Sequence, residues 1–336
     1  MGSDEQFMAR CLELAKRGAK AVMPNPMVGA VLVYQNRVLA EGYHHFFGGP
    51  HAEVDCLGNI SNEDEHLIAG STLYVSLEPC CHFGKTPPCT HLILEKKIKK
   101  VVVACLDPNP MVAGKGVELL RSKGVEVITG ILEKEAQYLN RRFITNQTKK
   151  RPFIILKWAE TADSFIADKS QKPLTISNAA CQLVNHFWRS RESAIAVGVN
   201  TVLKDNPSLT TRLVKGEHPI RVVFDPSACL KDSNFSIFDS SAQTIYLEKT
   251  DGINDWKEAM NYLWQNKQIS SVIVEGGAKT LNYFIQENLW DEIRVIRNNQ
   301  LNLGEGYAAP MLPKELRPKD IAHYTECDIF YYERFH

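Results

Sequence analysis

Apolar residues recur along the first half of the chain in two alternating periods. Between Gln6 and Arg17 they fall at Phe7, Met8, Cys11, Leu12, Leu14 and Ala15, one stripe of a helix. Val28 to Val33 and Arg37 to Glu41 read as two strands joined by a turn at Gln35-Asn36. A helix starts at Ala52 to Leu57, a strand follows at Thr72 to Leu77, a helix at Thr90 to Lys97 and a strand at Lys100 to Ala104. Gly116 to Lys123 reads as helix and Val125 to Thr129 as strand. Strands separated by helical crossovers predict a layered α/β sheet. The polar stretch Thr145 to Pro152 ends in proline and predicts a boundary between two domains, 1–147 and 150–336. Beyond it Phe153 to Trp158, Ser193 to Val197, Ile220 to Phe224 and Ser270 to Val274 read as strands, with helices at Asn178 to Arg189 and Thr280 to Glu287. The second domain is therefore also α/β.

Composition narrows the function classes. A chain of 336 residues, 44% hydrophobic and 23% charged, is long enough for two ordinary cores. Lys plus Arg and Asp plus Glu are both 39, so the net charge is zero, which argues against a protein that coats nucleic acid or anionic membrane. No apolar run approaches the roughly 18 residues of a membrane span, and the acidic start Met1-Gly2-Ser3-Asp4-Glu5-Gln6 is unlike a secretory signal. Nine scattered cysteines, an odd number, point to reduced thiols in a cytoplasmic setting, with clustered ones doing metal or redox chemistry.

One cluster stands out: His51-Ala52-Glu53, then Pro79-Cys80, then Cys89. One imidazole and two thiolates make three zinc ligands and leave a tetrahedral position open for water, the arrangement of a catalytic rather than a structural site. Zinc lowers the pKa of that water, and Glu53 lies near enough to shuttle its proton to a substrate nitrogen. Pro50 and Pro88 predict that His51 and Cys89 sit at helix starts, where the helix dipole favours a Cys89 thiolate. Cys81 is the neighbouring decoy, and Cys11, Cys56, Cys105, Cys181, Cys229 and Cys327 read as structural.

Together with these residues, Pro24-Asn25-Pro26-Met27-Val28-Gly29, the run from Leu77 to Cys89 and Val112-Ala113-Gly114-Lys115-Gly116 resemble the bifunctional riboflavin-biosynthesis deaminase/reductase family. The eight residues between Cys80 and Cys89 mark that branch, whereas tRNA and free-cytidine deaminases generally use a two-residue gap. The resemblance implies a cytidine-deaminase-like α/β/α domain that binds one zinc ion. Its substrate would be 2,5-diamino-6-(5-phosphoribosylamino)pyrimidin-4(3H)-one, which it would hydrolyse to the uracil. It further implies that Asn25 hydrogen-bonds the substrate, that His44 and Lys85 face its ribose phosphate and that Asn109 lines the pocket. A loop lysine between two ligands can reach a phosphate near the metal.

The second half resembles the family's dihydrofolate-reductase-like domain. The matching residues are Leu156-Lys157-Trp158-Ala159, Asp163, Val197-Gly198, Thr201, the run Asp205 to Arg212, and Glu275-Gly276-Gly277. The last is a strand, a glycine turn and a helix, which lets backbone amides approach a phosphate. The Gly-x-Gly-x-x-Gly fingerprint is absent, which disfavours a Rossmann domain. The resemblance implies that NADPH reduces the ribosyl group to ribityl. Ala159, Thr201, Asp205 and Gly277 would contact the cofactor, and Lys157, Arg189, Leu209, Arg212 and Glu275 the substrate. Arg189 and Arg212 suit a phosphate because guanidinium can grip it bidentately. Two positions depart from the family pattern. Ser164 stands where a glycine is usual, a strain of about 1 kcal/mol or more if the turn needs positive φ. Thr175 replaces a tryptophan.

The implied partner is a small phosphorylated pyrimidine, with no nucleic acid or membrane, in a homo-oligomer (dimer or tetramer). Three other readings compete. One is a nucleic-acid base deaminase whose Lys96-Lys97-Ile98-Lys99-Lys100 and Lys149-Lys150-Arg151 contact phosphates. Another is a zinc-stabilised scaffold without activity. The third is a deaminase with an impaired reductase.

Overall fold

The computed structural model describes residues 2–83, 87–109, 112–169, 174–230 and 234–334. The chain divides into two compact units, residues 1–149 and 150–336.

The first unit contains α1 (Ser3–Ala15), β1 (Gly29–Tyr34), β2 (Arg37–Tyr43), α2 (Ala52–Gly58), β3 (Thr72–Leu77), α3 (Cys89–Glu95), β4 (Lys100–Cys105), α4 (Lys115–Ser122), β5 (Glu126–Thr129), α5 (Glu133–Leu139) and α6 (Arg141–Lys149). The sheet runs β2-β1-β3-β4-β5, with β1 antiparallel to both neighbours and β3, β4 and β5 parallel. Successive side chains of a strand point to opposite faces, and here both faces are buried. Ala30, Leu32, Leu73, Val75, Val101 and Val103 pack with residues of α2, α3 and α4 on one side. Val31, Val33, Tyr74, Val102 and Ala104 pack with α1 and α5 on the other. That is the α/β/α layering. The parallel strands end together at Leu77 and Cys105, so the loops that follow them meet at one edge of the sheet.

The polar stretch taken as a linker is helical as far as Lys149: α6 carries it, with Thr145 and Asn146 buried. Their burial inverts the usual polar-out pattern, so periodicity gave no helix there.

The second unit contains β6 (Phe153–Glu160), β7 (Phe165–Ala167), α7 (Ala179–Arg191), β8 (Ala194–Gly198), α8 (Val199–Asp205), β9 (Ile220–Phe224), β10 (Thr244–Leu247), α9 (Trp256–Lys267), β11 (Ser271–Val274), α10 (Ala278–Gln286), β12 (Glu292–Asn298), β13 (Tyr307–Ala308), β14 (Asp320–Tyr324) and β15 (Cys327–Glu333). Its main sheet runs β10-β9-β8-β11-β6-β12-β15-β14, parallel from β10 to β12 and antiparallel beyond. The apolar core clusters on its two faces are built from alternate residues, Ile154, Leu156 and Trp158 on one and Phe153 and Ile155 on the other. Lys157 in the second half of β6, Gly198 at the end of β8 and Glu275 just beyond β11 line one cleft.

The turn between β6 and β7 holds Ser164 at φ 65°, the left-handed region that glycine occupies without strain. Its N–H still closes on the Thr161 carbonyl at 3.0 Å, and its own carbonyl accepts from Ala309 at 2.9 Å.

Candidate functional site

In the first unit, three segments bring the sequence-singled residues together. His51 is the N-cap of α2 with extended backbone (φ −70°, ψ 159°), which leaves Glu53 in the helix's first turn. Cys80 follows β3, and Cys89 opens α3 after Pro88. His51 Nδ1 lies 3.6 Å from Cys80 Sγ and 3.3 Å from Cys89 Sγ, and all three donor atoms lie within 4.8 Å of one another. A tetrahedral zinc ion with sulfur at about 2.3 Å and nitrogen at about 2.0–2.1 Å holds such atoms roughly 3.5 Å apart. The donor set and its spacing fit zinc. Among the described residues it is the one such His/Cys/Asp/Glu group, and Cys81 is not part of it.

Electrostatics sharpen the fit. The Cys80 thiol is pulled down to about 4, chiefly by the hydrogen bond from Cys89 and further by His51 and the Cys89 N–H, which reaches its sulfur at 3.3 Å. Cys89 is pushed up by the same bond to Cys80 and by burial. The two sulfurs are hydrogen-bonded to each other, so the bond that favours a charge on Cys80 opposes a second charge on Cys89; a zinc ion held between them would take both as thiolates. Glu53 is 3% exposed. Burial, and then the Cys80 charge, raise its carboxyl to about 7, a value at which it can both take and give a proton near neutral pH.

Around this group the loops present the other expected residues. Asn25 reaches His44 Nε2 with its side-chain amide at 3.2 Å. Asn140, buried at the junction between α5 and α6, accepts from Met27 N at 2.8 Å and donates to Met27 O at 2.9 Å, pinning that loop. His44 was expected to face a phosphate. It is instead 3% exposed, with Nδ1 2.8 Å from the Pro50 carbonyl and Nε2 against Asn25. Burial lowers its pKa, so the ring is neutral and holds Asn25 in place. Asn109 is half-buried on the loop after β4, with its N–H on Asp107 Oδ1 at 2.8 Å. Lys85 lies outside the described residues.

In the second unit, Lys157, Ala159, Thr201, Asp205, Glu275 and Gly277 line one cleft of about 810 Å³, together with Thr175. That volume is within the range of cofactor sites. Thr201 Oγ1 accepts from Gly277 N at 3.1 Å, at the start of α10. Gly276 has no room for a side chain, because a Cβ there would lie 2.8 Å from Thr280 Cβ. Lys204 and Lys279 add positive charge to the cleft, and Lys204 Nζ sits 4.4 Å from the Tyr307 ring centre. The open helix start and the lysines fit a phosphate-bearing nicotinamide dinucleotide.

Three expected substrate residues are not part of the lining. Arg189, expected to grip a phosphate, is instead spent inside the chain: Nε and Nη2 go to Glu275 at 2.9 and 2.8 Å, and Nη1 to the Thr210 carbonyl at 3.3 Å. At 8% exposure its charge requires a carboxylate partner. Leu209, at φ 52°, packs in the core with Val197 and Val223. Arg212 is exposed; its N–H donates to His186 Nδ1 at 2.9 Å and Nη1 to Thr210 Oγ1 at 3.2 Å. Lys157 Nζ also reaches Glu275, at 3.5 Å. Burial would raise the Glu275 carboxyl, but Arg189 and Lys157 overcome it and hold it at about 2.

Comparison with known proteins covers both units. Residues 1–105 match the family model for the cytidine and deoxycytidylate deaminase zinc-binding region, and residues 152–319 match that for the RibD C-terminal domain. The riboflavin biosynthesis protein RibD of Aquifex aeolicus is 38% identical, with 99% of each chain covered. That of Escherichia coli is 31% identical over 87% of this chain and 86% of the relative. A crystal structure of a diaminohydroxyphosphoribosylaminopyrimidine deaminase/5-amino-6-(5-phosphoribosylamino)uracil reductase from Thermotoga maritima superposes with a TM-score of 0.88 at 38% identity, covering 98% of both chains. Acinetobacter baumannii RibD does so at 0.86, 32% identity and 99% of both. These full-length matches do not favour the nucleic-acid deaminase reading, and no described helix is long and apolar enough to cross a membrane. The chain belongs to the RibD family of riboflavin biosynthesis and is a bifunctional enzyme that joins a zinc-binding deaminase domain to a reductase domain.

Proposed function

We propose that residues 1–147 remove the 2-amino group of 2,5-diamino-6-(5-phosphoribosylamino)pyrimidin-4(3H)-one, and that residues 150–336 then reduce the ribosyl group of the uracil product with NADPH. The observation that carries the first half is the convergence of His51, Cys80 and Cys89 beside a buried Glu53. Bound at those three residues, zinc would supply Lewis-acid activation of water. Glu53 passes one proton of the attacking water to the ring nitrogen and the other to the amino nitrogen; the C2–N bond breaks, the amino group departs as ammonia and the water oxygen stays on the ring as its carbonyl. Asn25, steered by His44, hydrogen-bonds the pyrimidine, and Asn109 borders it.

In the second unit Ala159, Thr201, Asp205 and Gly277 line the cleft and would hold the cofactor, which would supply the hydride. Lys157 and Glu275 meet the substrate at the cleft floor. Arg212 is the guanidinium left to face its phosphate, since Arg189 is paired with Glu275. Lys204 and Lys279 favour the additional phosphate of NADPH over NADH. The partner is the small molecule, not a nucleic acid.

The test is Glu53→Gln in the zinc-loaded full chain. The expected result is at least a 100-fold loss of ammonia release, with one zinc per chain retained and reduction of the supplied uracil unchanged. Undiminished ammonia release would overturn the assignment of Glu53.

A further inference from the structure

Glu78 lies two residues before Cys80, and the chemistry above gives it no part. Its side chain is nevertheless one of the most heavily bonded groups in the first unit. It is 4% exposed. Oε2 accepts the N–H of Asp107 at 3.1 Å and of Gly114 at 2.9 Å, and Oε1 accepts those of Gly116 at 2.9 Å and Val117 at 3.1 Å. Its own N–H donates to the Cys105 carbonyl at 3.0 Å.

Gly116 and Val117 belong to the first turn of α4, whose N-cap, Gly114, has no side chain to cap it. First-turn N–H groups have no partner within a helix. Here a carboxylate 38 residues away in sequence satisfies them, and its negative charge suits the helix start. The two segments also touch directly. A Cβ on Gly116 would lie 2.2 Å from the Pro79 carbonyl oxygen, so only glycine permits this approach.

Asn109 sits between the two donors to Oε2, Asp107 and Gly114. Its N–H is held by Asp107 Oδ1, and its carbonyl accepts from Val112 at 2.8 Å and Ala113 at 2.9 Å. Glu78 thus grips both ends of the Asn109 loop, while its backbone continues into Pro79 and Cys80. Cys80 in turn is fixed to α3, since its carbonyl accepts both the Thr90 N–H and the Thr90 hydroxyl at 3.2 Å.

We propose that Glu78 is a positioning residue that fixes the Asn109 loop relative to Cys80, and so sets the enzyme's affinity for the pyrimidine without touching it. A carboxylate can serve four donors with two oxygens, whereas an amide offers one oxygen and turns an N–H₂ towards two N–H groups. Glu78→Gln therefore loses either both bonds to the loop ends, Asp107 and Gly114, or both bonds to the α4 start, Gly116 and Val117, while leaving the three zinc donors in place. The inference rests on the deaminase reading of the first unit.

The experiment uses the full-length, zinc-loaded chain. Wild-type ammonia release from the diaminopyrimidinone phosphate is measured first, because its absence would sink the deaminase reading before any variant is made. Glu78→Gln is then compared for zinc content, KM and kcat of deamination, and reduction of the supplied uracil. Amide hydrogen exchange over residues 107–117 provides a second readout. The expected result is one zinc per chain, at least a tenfold rise in KM with kcat changed less than threefold, and faster exchange confined to that loop. Reduction should be unchanged, and Asn109→Ala should add less than twofold to KM in the Glu78→Gln background. Glu78→Asp, which keeps the charge, should recover part of the KM. An unchanged KM, a full additional effect of Asn109→Ala, or loss of zinc with an unaltered KM in the zinc-bound fraction would overturn the proposal.

Discussion

Replacing Glu275 by glutamine should destabilise the second unit by an amount the structure allows to be worked out. The carboxylate lies between Arg189, at 2.8 and 2.9 Å, and Lys157, at 3.5 Å, with side-chain exposures of about a tenth for all three. Its pKa of about 2 against the ordinary carboxyl value of 4.5 corresponds to about 3 kcal/mol at roughly 1.4 kcal/mol per unit. The pKa is depressed in the folded state, so this stabilisation is fully present above 4.5 and drains away as pH falls towards 2. Removing one partner of a buried ion pair costs about 3–5 kcal/mol, because the remaining charges stay buried. Burial already lowers the Lys157 pKa with Glu275 present, so the amide would leave that lysine worse off. At roughly 2–4 °C per kcal/mol for a unit of this size, the second unit's melting point should fall by about 6–20 °C at pH 7. Calorimetry on the full chain reads this directly, and urea titrations at pH 7 and pH 3 read the sign. The gap between wild type and variant should shrink to less than half at pH 3, while ammonia release at pH 7 is untouched. A shift under about 2 °C, or a gap independent of pH, would refute the argument that Arg189 is an internal counter-charge.

Other outcomes follow from single positions. Ser164→Gly relieves a left-handed backbone at φ 65° and should raise the second unit's melting point by about 1–4 °C, the strain relieved exceeding the entropy that glycine adds to the unfolded chain; a lower melting point would contradict this. Gly116→Ala forces a carbon to within 2.2 Å of the Pro79 oxygen and should cut deaminase kcat/KM at least tenfold while the reductase rate is kept. Chelation of zinc should abolish ammonia release and lower the first unit's melting point, with reduction of the supplied uracil unaffected. Lys204→Met should raise the KM for NADPH several-fold and leave that for NADH within twofold, as steady-state reductase kinetics would show.

Much of the first unit was legible because its central strands β1, β3 and β4 are apolar runs buried on both faces and its zinc donors follow turn-making prolines. Local chemistry was enough there: His51, Glu53, Cys80 and Cys89 each sit where their neighbours in sequence place them. What was hidden depends on distant partners. Glu78 stands inside the motif that carries Cys80, yet its four donors lie 29 to 39 residues away, and no spacing rule exposes them. Asn140 pins Met27 across 113 residues. Arg189 reads as a guanidinium free to grip a phosphate until Glu275 is seen to pair with it, and His44 reads as facing the ribose phosphate until its burial against Asn25 and Pro50 is seen. Strand β12 was missed for a related reason. Its sequence alternates charged and apolar residues, a half-exposed pattern, but Glu292 and Arg294 are both buried and bond each other at 2.6 Å in the middle of the sheet.

The most direct test of the whole account is a sequential assay on the purified, zinc-loaded chain given the diaminopyrimidinone phosphate. Ammonia is followed first without NADPH, and NADPH oxidation is followed after its addition. One ammonia per substrate, then one NADPH consumed per uracil formed, is the predicted result and would make Ser164 and Thr175 tolerated variants. Ammonia without NADPH consumption would contradict the reductase half and direct attention to those two positions. No ammonia at all would contradict the central claim, that His51, Cys80, Cys89 and Glu53 form a deaminase site for this pyrimidine.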